Sequence, residues 1–152
     1  MAYDVPQLQK MSNADLDKLF SSSPAGDIPD GPAEGTALID PGAKFEPELD
    51  AFVKLALWKG KVFNKENGTL QNKITPVGFK AITAKVYKGA SWFDNKECIV
   101  LDYSQTSVVA HWIRDEIRLI SPNFYLGRVY WGKKPLIHFC LQFGAAAGPA
   151  KS

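Results

Sequence analysis

The chain has 152 residues, of which 18 are basic and 16 are acidic, and its formal net charge is +2. This length is typical of one domain, here residues 1–152, and it suffices to bury a core without a disulfide or a metal. The balanced charge argues against the concentrated basic surface of a nucleic-acid-binding protein and gives no electrostatic reason to expect membrane attachment.

The N-terminal segment, residues 1–58, is predicted to combine short helices with loops. Residues 1–11 show no clear pattern and are expected to be a loose lead-in. Ser12 followed by Asp15 is a helix-capping pattern, which predicts a short helix over residues 13–20. We expect the whole segment to pack on the rest of the domain or to cap it.

Between residues 21 and 47, proline and glycine recur too often for long regular structure. The exception is a short strand predicted at residues 36–39. Pro47 stands at a position that favours the start of a helix, and Gly60 at a position that favours the end of one. A second short helix is therefore predicted over residues 47–58.

Residues 60–143 predict a meander of antiparallel strands. Turn signals recur at regular intervals, and Asn67-Gly68 is the strongest short hairpin signal among them. The seven predicted strands cover residues 60–66, 69–75, 79–88, 97–103, 108–120, 124–132 and 136–143. With residues 36–39 as an eighth strand, such a meander exposes its edges unless it closes on itself. We therefore expect an all-β, antiparallel up-and-down β-barrel of seven or eight strands with two short N-terminal helices, followed by a disordered tail over residues 144–152.

Alternation of apolar and polar residues assigns the two faces of the predicted barrel. Across the turn at residues 121–123, Glu116 opposite Arg128 makes a favourable charge pair, and this register places Asp115 opposite Val129 on the apolar face. The inner face is predicted to hold Val62, Asn64, Leu70, Asn72, Ile74, Ile82, Ala84, Val86, Ile99, Leu101, Tyr103, His111, Ile113, Asp115, Ile117, Tyr125, Val129, Trp131, Ile137, Phe139, Leu141 and Phe143. The outer face is predicted to hold Lys61, Lys65, Lys73, Lys85, Asp102, Arg114, Glu116, Arg118, Arg128, His138 and Gln142.

The charged row Arg114, Glu116 and Arg118 is expected to form a solvated outer face with cross-strand ion pairs. The opposite assignment stays open, because Trp112 and Ile120 lie on the same face as these charges. In that alternative the charged row lines the barrel and the second helix covers the apolar side.

Asp115 is the most informative residue of the predicted inner face, where it lies between Ile113 and Ile117. A buried carboxylate has to be paired, hydrogen-bonded or protonated. Asp115 is then either the polar anchor or general base of a pocket, with His111 as a second catalytic candidate, or a structural residue held by hydrogen bonds. The ligand-binding residues are predicted to be Asn72, Tyr103, Ile113, Tyr125, Val129, Trp131 and Phe139.

The two histidines, His111 and His138, have opposite parity in their predicted strands. They are therefore not expected to ligate one metal ion from a shared interior, and we predict no metal site. No cofactor is predicted either, with haem kept as an alternative because it needs a single protein imidazole. The sequence shows no arrangement typical of a Ser-His-Asp triad, a glycine-rich phosphate loop or a cysteine nucleophile.

Cys98 and Cys140 fall in strand-like runs without a CxxC spacing, which predicts two buried thiols in a reducing compartment. The N-terminal sequence MAYDVPQLQK lacks the apolar core of a signal peptide. No stretch approaches the ~18 continuous apolar residues of a membrane-spanning helix. Together these features predict a cytoplasmic protein.

Four segments resemble small lipocalin-like domains of the GXWXG type, a family whose function is undefined. These segments are the WKGKVF stretch at residues 58–63 and, before it, residues 16–20, 29–31 and 35–38. The chain departs from the motif that names the family, since Thr36-Ala37 follows Gly35 where a tryptophan is expected. The resemblance implies a calycin-like barrel that encloses a small apolar molecule, and it carries over no functional residue.

Three functions are compatible with these patterns. The leading hypothesis is binding of a hydrophobic small molecule, such as a fatty acid, terpenoid or polyketide, inside the barrel. The alternative is a small barrel enzyme, an isomerase, cyclase or lyase, that uses Asp115 as acid or base. The third is an interaction protein whose barrel is filled by its own side chains. A homodimer is left open by the sequence.

Overall fold

The computed structural model describes residues 3–38, 61–72, 82–104 and 112–144 of the chain. Within these ranges there are two helices, α1 (Val5–Gln9) and α2 (Asn13–Ser22), followed by eight strands. The strands are β1 (Gly31–Leu38), β2 (Lys61–Asn64), β3 (Thr69–Asn72), β4 (Ile82–Ala90), β5 (Glu97–Asp102), β6 (Ile113–Ser121), β7 (Phe124–Trp131) and β8 (Lys134–Phe143). Neither helix is long and apolar enough to cross a membrane.

The eight strands form one closed barrel, each pairing antiparallel with the next in chain order. Closure is made by β1 and β8, which pair from Ala33 opposite Phe143 to Leu38 opposite His138. Closure removes the exposed sheet edges that a meander otherwise leaves. The predicted fold class, an all-β antiparallel up-and-down barrel, is confirmed, and β1 is longer than the short strand predicted for it.

Of the two N-terminal helices, α2 agrees with the prediction and α1 does not. Helix α2 was predicted, and the Ser12 side chain caps it by accepting a 3.1 Å hydrogen bond from the Asp15 amide. Helix α1 lies where a loose lead-in was expected, and its own cap is Asp4, whose carboxylate accepts a 2.8 Å hydrogen bond from the Gln7 amide. The predicted helix over residues 47–58 lies outside the described residues.

Two apolar clusters hold the fold together, one on each side of the barrel wall. The inner cluster contains Ala25, Ala33, Phe63, Leu70, Ala84, Val86, Ile99, Leu101, Tyr103, Ile113, Ile117, Tyr125, Val129, Ile137, Phe139, Leu141 and Phe143. The outer cluster contains Leu8, Leu16, Phe20, Leu38, Cys98, Val100, Phe124, Leu126 and Cys140. The outer cluster shows that α1 and α2 pack on the outside of the wall, so the N-terminal helices cover a flank of the barrel.

The strand registers confirm most of the predicted faces. Asp115 lies opposite Val129, and Glu116 lies opposite Arg128, as the charge pairing predicted. Because Ile113 and Ile117 are buried in the inner cluster, the alternative with exchanged faces is wrong.

Strand β2 departs from the predicted face assignment. Phe63 belongs to the inner cluster and Lys61 is buried, whereas Val62 is half-buried and Asn64 is exposed. The prediction was therefore wrong for β2, because its alternation is shifted by one residue. It assigned Val62 and Asn64 to the inner face and Lys61 to the outer face.

The close contact of Gly127 with Phe139 yields a stability prediction. The two residues lie opposite each other, and a Cβ atom at Gly127 would come within 2.4 Å of the Phe139 ring. Gly127→Ala is therefore expected to destabilise the protein by about 1–3 kcal/mol in chemical denaturation. Gly89→Ala is the matched control, since its new Cβ would meet Val100 at an ordinary 3.4 Å. Equal stability of the two variants would contradict this account of the packing.

Candidate functional site

A buried ion pair lies inside the barrel, close to one of its ends. The Lys61 Nζ atom lies 3.7 Å from Asp115 Oδ2 and donates a 3.2 Å hydrogen bond to the Tyr103 hydroxyl. The exposed fractions of Lys61 and Asp115 are 2% and 3%. Lys61 begins β2, Tyr103 follows the last residue of β5, and Asp115 is the third residue of β6, so three strands deliver these groups to one end. We call these three residues the inner polar cluster.

Asp115 is incompletely satisfied in this cluster. Its Oδ2 atom faces Lys61, but its Oδ1 atom is buried and has no hydrogen-bond partner among the described residues. Burial raises the pKa of Asp115 to about 6, although the Lys61 ammonium acts in the opposite direction. A buried carboxylate oxygen without a donor is costly. Within the described part of the interior, the Oδ1 atom is therefore a position where an added hydrogen-bond donor would be favourable.

Lys61 is shifted towards its neutral form as well. Burial lowers the pKa of its amine, while the carboxylate of Asp115 opposes this shift. The Nζ atom lies 5.9 Å and 6.0 Å from the ring centroids of Tyr103 and Phe139, so aromatic faces border it. Burial thus disfavours the charged form of both Lys61 and Asp115, while their mutual attraction favours it.

Sequence reasoning found Asp115 and Tyr103 but placed Lys61 on the wrong face. The strand Lys61–Asn64 has four residues, and both Val62 and Phe63 are apolar, so alternation alone does not decide which of them points inward. A usable signal was present in the requirement that a buried Asp115 have a cationic or hydrogen-bonding partner. That requirement favours the parity that brings Lys61 and Phe63 inside.

Four of the predicted ligand-binding residues lie in the inner cluster close to the ion pair. Val129 is directly opposite Asp115, and Ile113 precedes Asp115 by two positions on the same face. Phe139 and Tyr103 border the Lys61 amine. Val129, Ile113 and Phe139 thus form apolar surroundings of the Lys61–Asp115 pair.

The remaining predicted site residues are Tyr125, Trp131, Asn72 and His111. The Tyr125 hydroxyl donates a 2.6 Å hydrogen bond to the Asp27 carbonyl, so it is used to hold the N-terminal segment. Trp131 is the last residue of β7 and is 37% exposed. Asn72 ends β3 and pairs with Lys61, but its side chain lies outside the described part of the chain, as does the whole of His111.

In the outer charged row, Glu116 and Arg118 are buried and Arg114 is half-buried, so the expectation that the row is solvated is wrong. Arg118 has no exposed surface, and its guanidinium donates five hydrogen bonds of 2.7–3.0 Å. Two of them go to the Asp94 carboxylate, and the others to the carbonyls of Phe20, Lys96 and Glu97. The Arg118 guanidinium holds the pKa of Asp94 well below its usual range. Arg118 thus joins α2 and the loop before β5 to the outside of β6.

Glu116 makes a second connection to the loop at residues 91–96. Its carboxylate has no exposed surface and accepts hydrogen bonds from the Ser91 hydroxyl at 2.6 Å and the Trp92 amide at 2.8 Å. Arg114 completes the group through a 3.0 Å ion pair with Glu116. Since every oxygen of Glu116 has a donor, this carboxylate serves to position the loop and leaves little capacity for a ligand.

His138 forms a third connection, between α2 and β8. Its Nε2 atom lies 2.7 Å from Asp17 Oδ1, which also contacts the Arg128 guanidinium. Burial lowers the pKa of His138, although the Asp17 carboxylate opposes this effect. The Nε2 atom of His138 is thus engaged by the Asp17 carboxylate.

The outer surface carries a cleft of about 300 Å³ next to the loop at residues 91–96. It is lined by Trp92, Asp102, Ser104, Trp112, Ile113, Arg114, Gly132 and Lys133. The Arg114 guanidinium stacks 4.2 Å from the centroid of the Trp92 ring. Because the Arg114 guanidinium is already paired with Glu116, its charge serves mainly the structure of the loop.

The two thiols offer no nucleophile. Cys98 and Cys140 are free and buried. Burial raises the pKa of Cys98 to about 12 and that of Cys140 to about 11. A thiol that stays protonated at neutral pH is a poor nucleophile and a poor metal ligand. Among the described residues, no group of three His, Cys, Asp or Glu side chains is placed to hold a metal ion.

Comparison with known proteins supports the fold. A protein from Thermomonospora curvata, known from its crystal structure, superimposes with a TM-score of 0.58 at 13% sequence identity, and the alignment covers 87% of each chain. At this identity the likeness shows a shared fold alone. No protein-family model and no curated protein matches the chain.

Proposed function

We propose that the barrel binds a small, largely apolar molecule whose polar group is held by Lys61, Tyr103 and Asp115. The observation that carries this proposal is the buried Oδ1 atom of Asp115, which lacks a hydrogen-bond donor among the described residues. A ligand hydroxyl or amine would supply that donor, and the Lys61 amine would face a ligand oxygen.

The surroundings of the inner polar cluster favour an apolar ligand body. Leu101 and Val129 lie directly opposite Asp115 on the neighbouring strands, and Phe139 borders the Lys61 amine. Such walls suit the chain of a fatty acid or the skeleton of a terpenoid or polyketide. The closed eight-stranded barrel is compatible with the resemblance to lipocalin-like domains, which stays a proposal.

A second candidate function is an isomerase, cyclase or lyase that works in the same place. It is favoured by the raised pKa of Asp115, about 6, which lets this carboxyl gain and lose a proton near neutral pH. The adjacent Lys61 amine would then stabilise negative charge that develops on a substrate oxygen. The two functions differ in whether the ligand leaves the barrel chemically unchanged.

We also propose that the protein acts in the cytoplasm as a binder of small molecules. Whether it forms a homodimer is left open. The cytoplasmic location is supported by the two free, buried thiols Cys98 and Cys140, which suit a reducing compartment.

The binding proposal is tested with cis-parinaric acid, an apolar fluorescent fatty acid, displaced by dodecanoic acid or dodecanol. The wild-type protein is expected to bind the probe, and Asp115→Asn is expected to weaken dodecanol binding about tenfold or more, since one buried hydrogen bond to a charged acceptor is lost. Asp15→Asn, at an exposed position of α2, is the matched control. Absence of probe binding, or equal dodecanol affinity in both variants, would overturn the proposal.

A further inference from the structure

Lys61 is a primary amine enclosed by aromatic rings at the end of an apolar barrel. Its Nζ atom lies within 6.0 Å of the centroids of the Tyr103 and Phe139 rings and within 3.7 Å of a carboxylate oxygen of Asp115. A structural ion pair needs no third polar group, but here the Tyr103 hydroxyl adds a donor and acceptor 3.2 Å from the amine. An amine, a carboxyl and a phenol therefore meet at one point in apolar surroundings.

The amine lies close to one end of the barrel. Lys61 is the first residue of β2 and pairs with Asn72, the last residue of β3. Asp115 is two residues from the start of β6, which corresponds to roughly 7 Å along the strand. A ligand that inserts by this distance would bring its leading group to the Nζ atom.

The amine is also disposed to be neutral and hence nucleophilic. Burial lowers the pKa of Lys61 and raises that of Asp115, which favours the neutral form of both groups, and the attraction between the two charges opposes this. A desolvated lysine in an apolar pocket is the usual setting for a lysine that forms Schiff bases with carbonyl compounds.

We infer that Lys61 forms a Schiff base with apolar aldehydes or ketones, with Asp115 as the proton donor and counter-ion. The inference rests on the proposed ligand-binding function and names its ligand class. The Nζ lone pair of Lys61 attacks the carbonyl carbon, and a C–N bond forms as the C=O π bond breaks. A proton then passes from the nitrogen to the oxygen, which gives a carbinolamine. The protonated carboxyl of Asp115 then gives its proton to the carbinolamine hydroxyl, the C–O bond breaks, and water leaves. The products are a protonated imine, the Asp115 carboxylate beside it, and one water molecule.

The unsatisfied oxygen of Asp115 fits this chemistry. In the free protein the Oδ1 atom has no donor among the described residues, while Oδ2 faces the amine. During the reaction the carbinolamine hydroxyl can occupy the position next to Oδ1, and the departing water can hydrogen-bond to it. Tyr103 is placed to orient the amine for attack.

The test uses decanal as the carbonyl probe and decanol as its matched control, with sodium cyanoborohydride to reduce any imine. Decanal is expected to increase the protein mass by the mass of the aldehyde less one oxygen atom, with the modification at Lys61. At neutral pH the yield at Lys61 is expected to exceed that at an exposed lysine by about tenfold or more, because an ordinary lysine is almost wholly protonated. Peptide mapping locates the adduct.

Three variants complete the experiment. Lys88→Met removes an exposed lysine and is expected to leave the Lys61 adduct unchanged. Lys61→Met/Asp115→Leu removes both buried charges and is expected to abolish the selective adduct. Asp115→Asn keeps the amine and is expected to slow adduct formation about tenfold or more, because the proton donor is lost.

Displacement of cis-parinaric acid by decanol tests ligand binding separately from Schiff-base formation. If decanol and decanal both displace the probe but modification is spread over exposed lysines, the Schiff-base inference is wrong and ligand binding stands. If neither compound displaces the probe and Lys61 is not modified, both are wrong.

Discussion

Lys61→Met is expected to destabilise the protein by about 3–5 kcal/mol, because it leaves Asp115 buried without its cation. Asp115→Leu is expected to have a similar effect, since the Lys61 ammonium is then buried without its carboxylate. The double variant Lys61→Met/Asp115→Leu is expected to lie within about 1 kcal/mol of the wild type, or above it, because neither charge of the inner pair remains. Chemical denaturation of the four proteins gives the coupling free energy between the two sites directly.

The pH dependence of stability provides an independent check on the same pair. The pKa of Asp115 is about 6 in the folded protein and about 3.8 without its surroundings, so the folded state binds the proton more tightly. Stability is therefore greatest below about pH 4 in this respect and falls as the pH rises through 6, by about 3 kcal/mol in all. The decline is expected to disappear in Asp115→Leu. Additive single effects and an unchanged pH profile would show that the pair is not coupled.

Arg118→Met is expected to destabilise the protein by about 3–5 kcal/mol as well, but through the outer side of the wall. The variant removes the paired cation of the Asp94 carboxylate and one hydrogen-bond donor each from the carbonyls of Phe20, Lys96 and Glu97. Arg118→Lys is expected to recover only part of the loss, because one ammonium cannot reproduce the planar fork that binds Asp94 through two nitrogens.

Hydrogen exchange locates the effect of Arg118→Met. Amides of α2 and of the loop at residues 91–96 are expected to exchange faster, while those of the inner strands follow global unfolding. Lys18→Met, at an exposed position of α2, is the control and is expected to change stability by less than about 0.5 kcal/mol. Uniformly faster exchange, or a small effect of Arg118→Met, would argue against the role of Arg118 in fastening the helix and loop.

The two buried polar groups on either side of the barrel wall differ in a way that bears on function. On the outside, Arg118 and Glu116 have partners for all their polar atoms, so that group is complete as a structural fastening. On the inside, Asp115 has an oxygen without a donor among the described residues. Because unsatisfied buried groups are unfavourable for folding alone, the inner group is the better candidate for a site.

Several local features were sufficient to predict much of the fold. The Asn67-Gly68 turn, the alternation in β8 and the pairing of Glu116 with Arg128 each fix a hairpin or a register within a short stretch of chain. They predict an up-and-down barrel with the apolar row inside, as observed. Helix α1 was missed although Asp4 supplies a cap, because a helix of five residues has almost no periodicity to detect.

The partnerships between distant residues could not be predicted in the same way. Whether Lys61 points inward depends on Phe63 filling the barrel, and its partner Asp115 comes from a strand far along the chain. Likewise, the burial of Arg118 depends on α2 packing over β6, which alternation within β6 cannot reveal.

The sequence by itself determined the strands, their order and the apolar face, because turn chemistry and two-residue periodicity act between neighbours along the chain. The tertiary structure alone decided which charges are enclosed and with whom they pair, because burial of a charge depends on every element that packs around it.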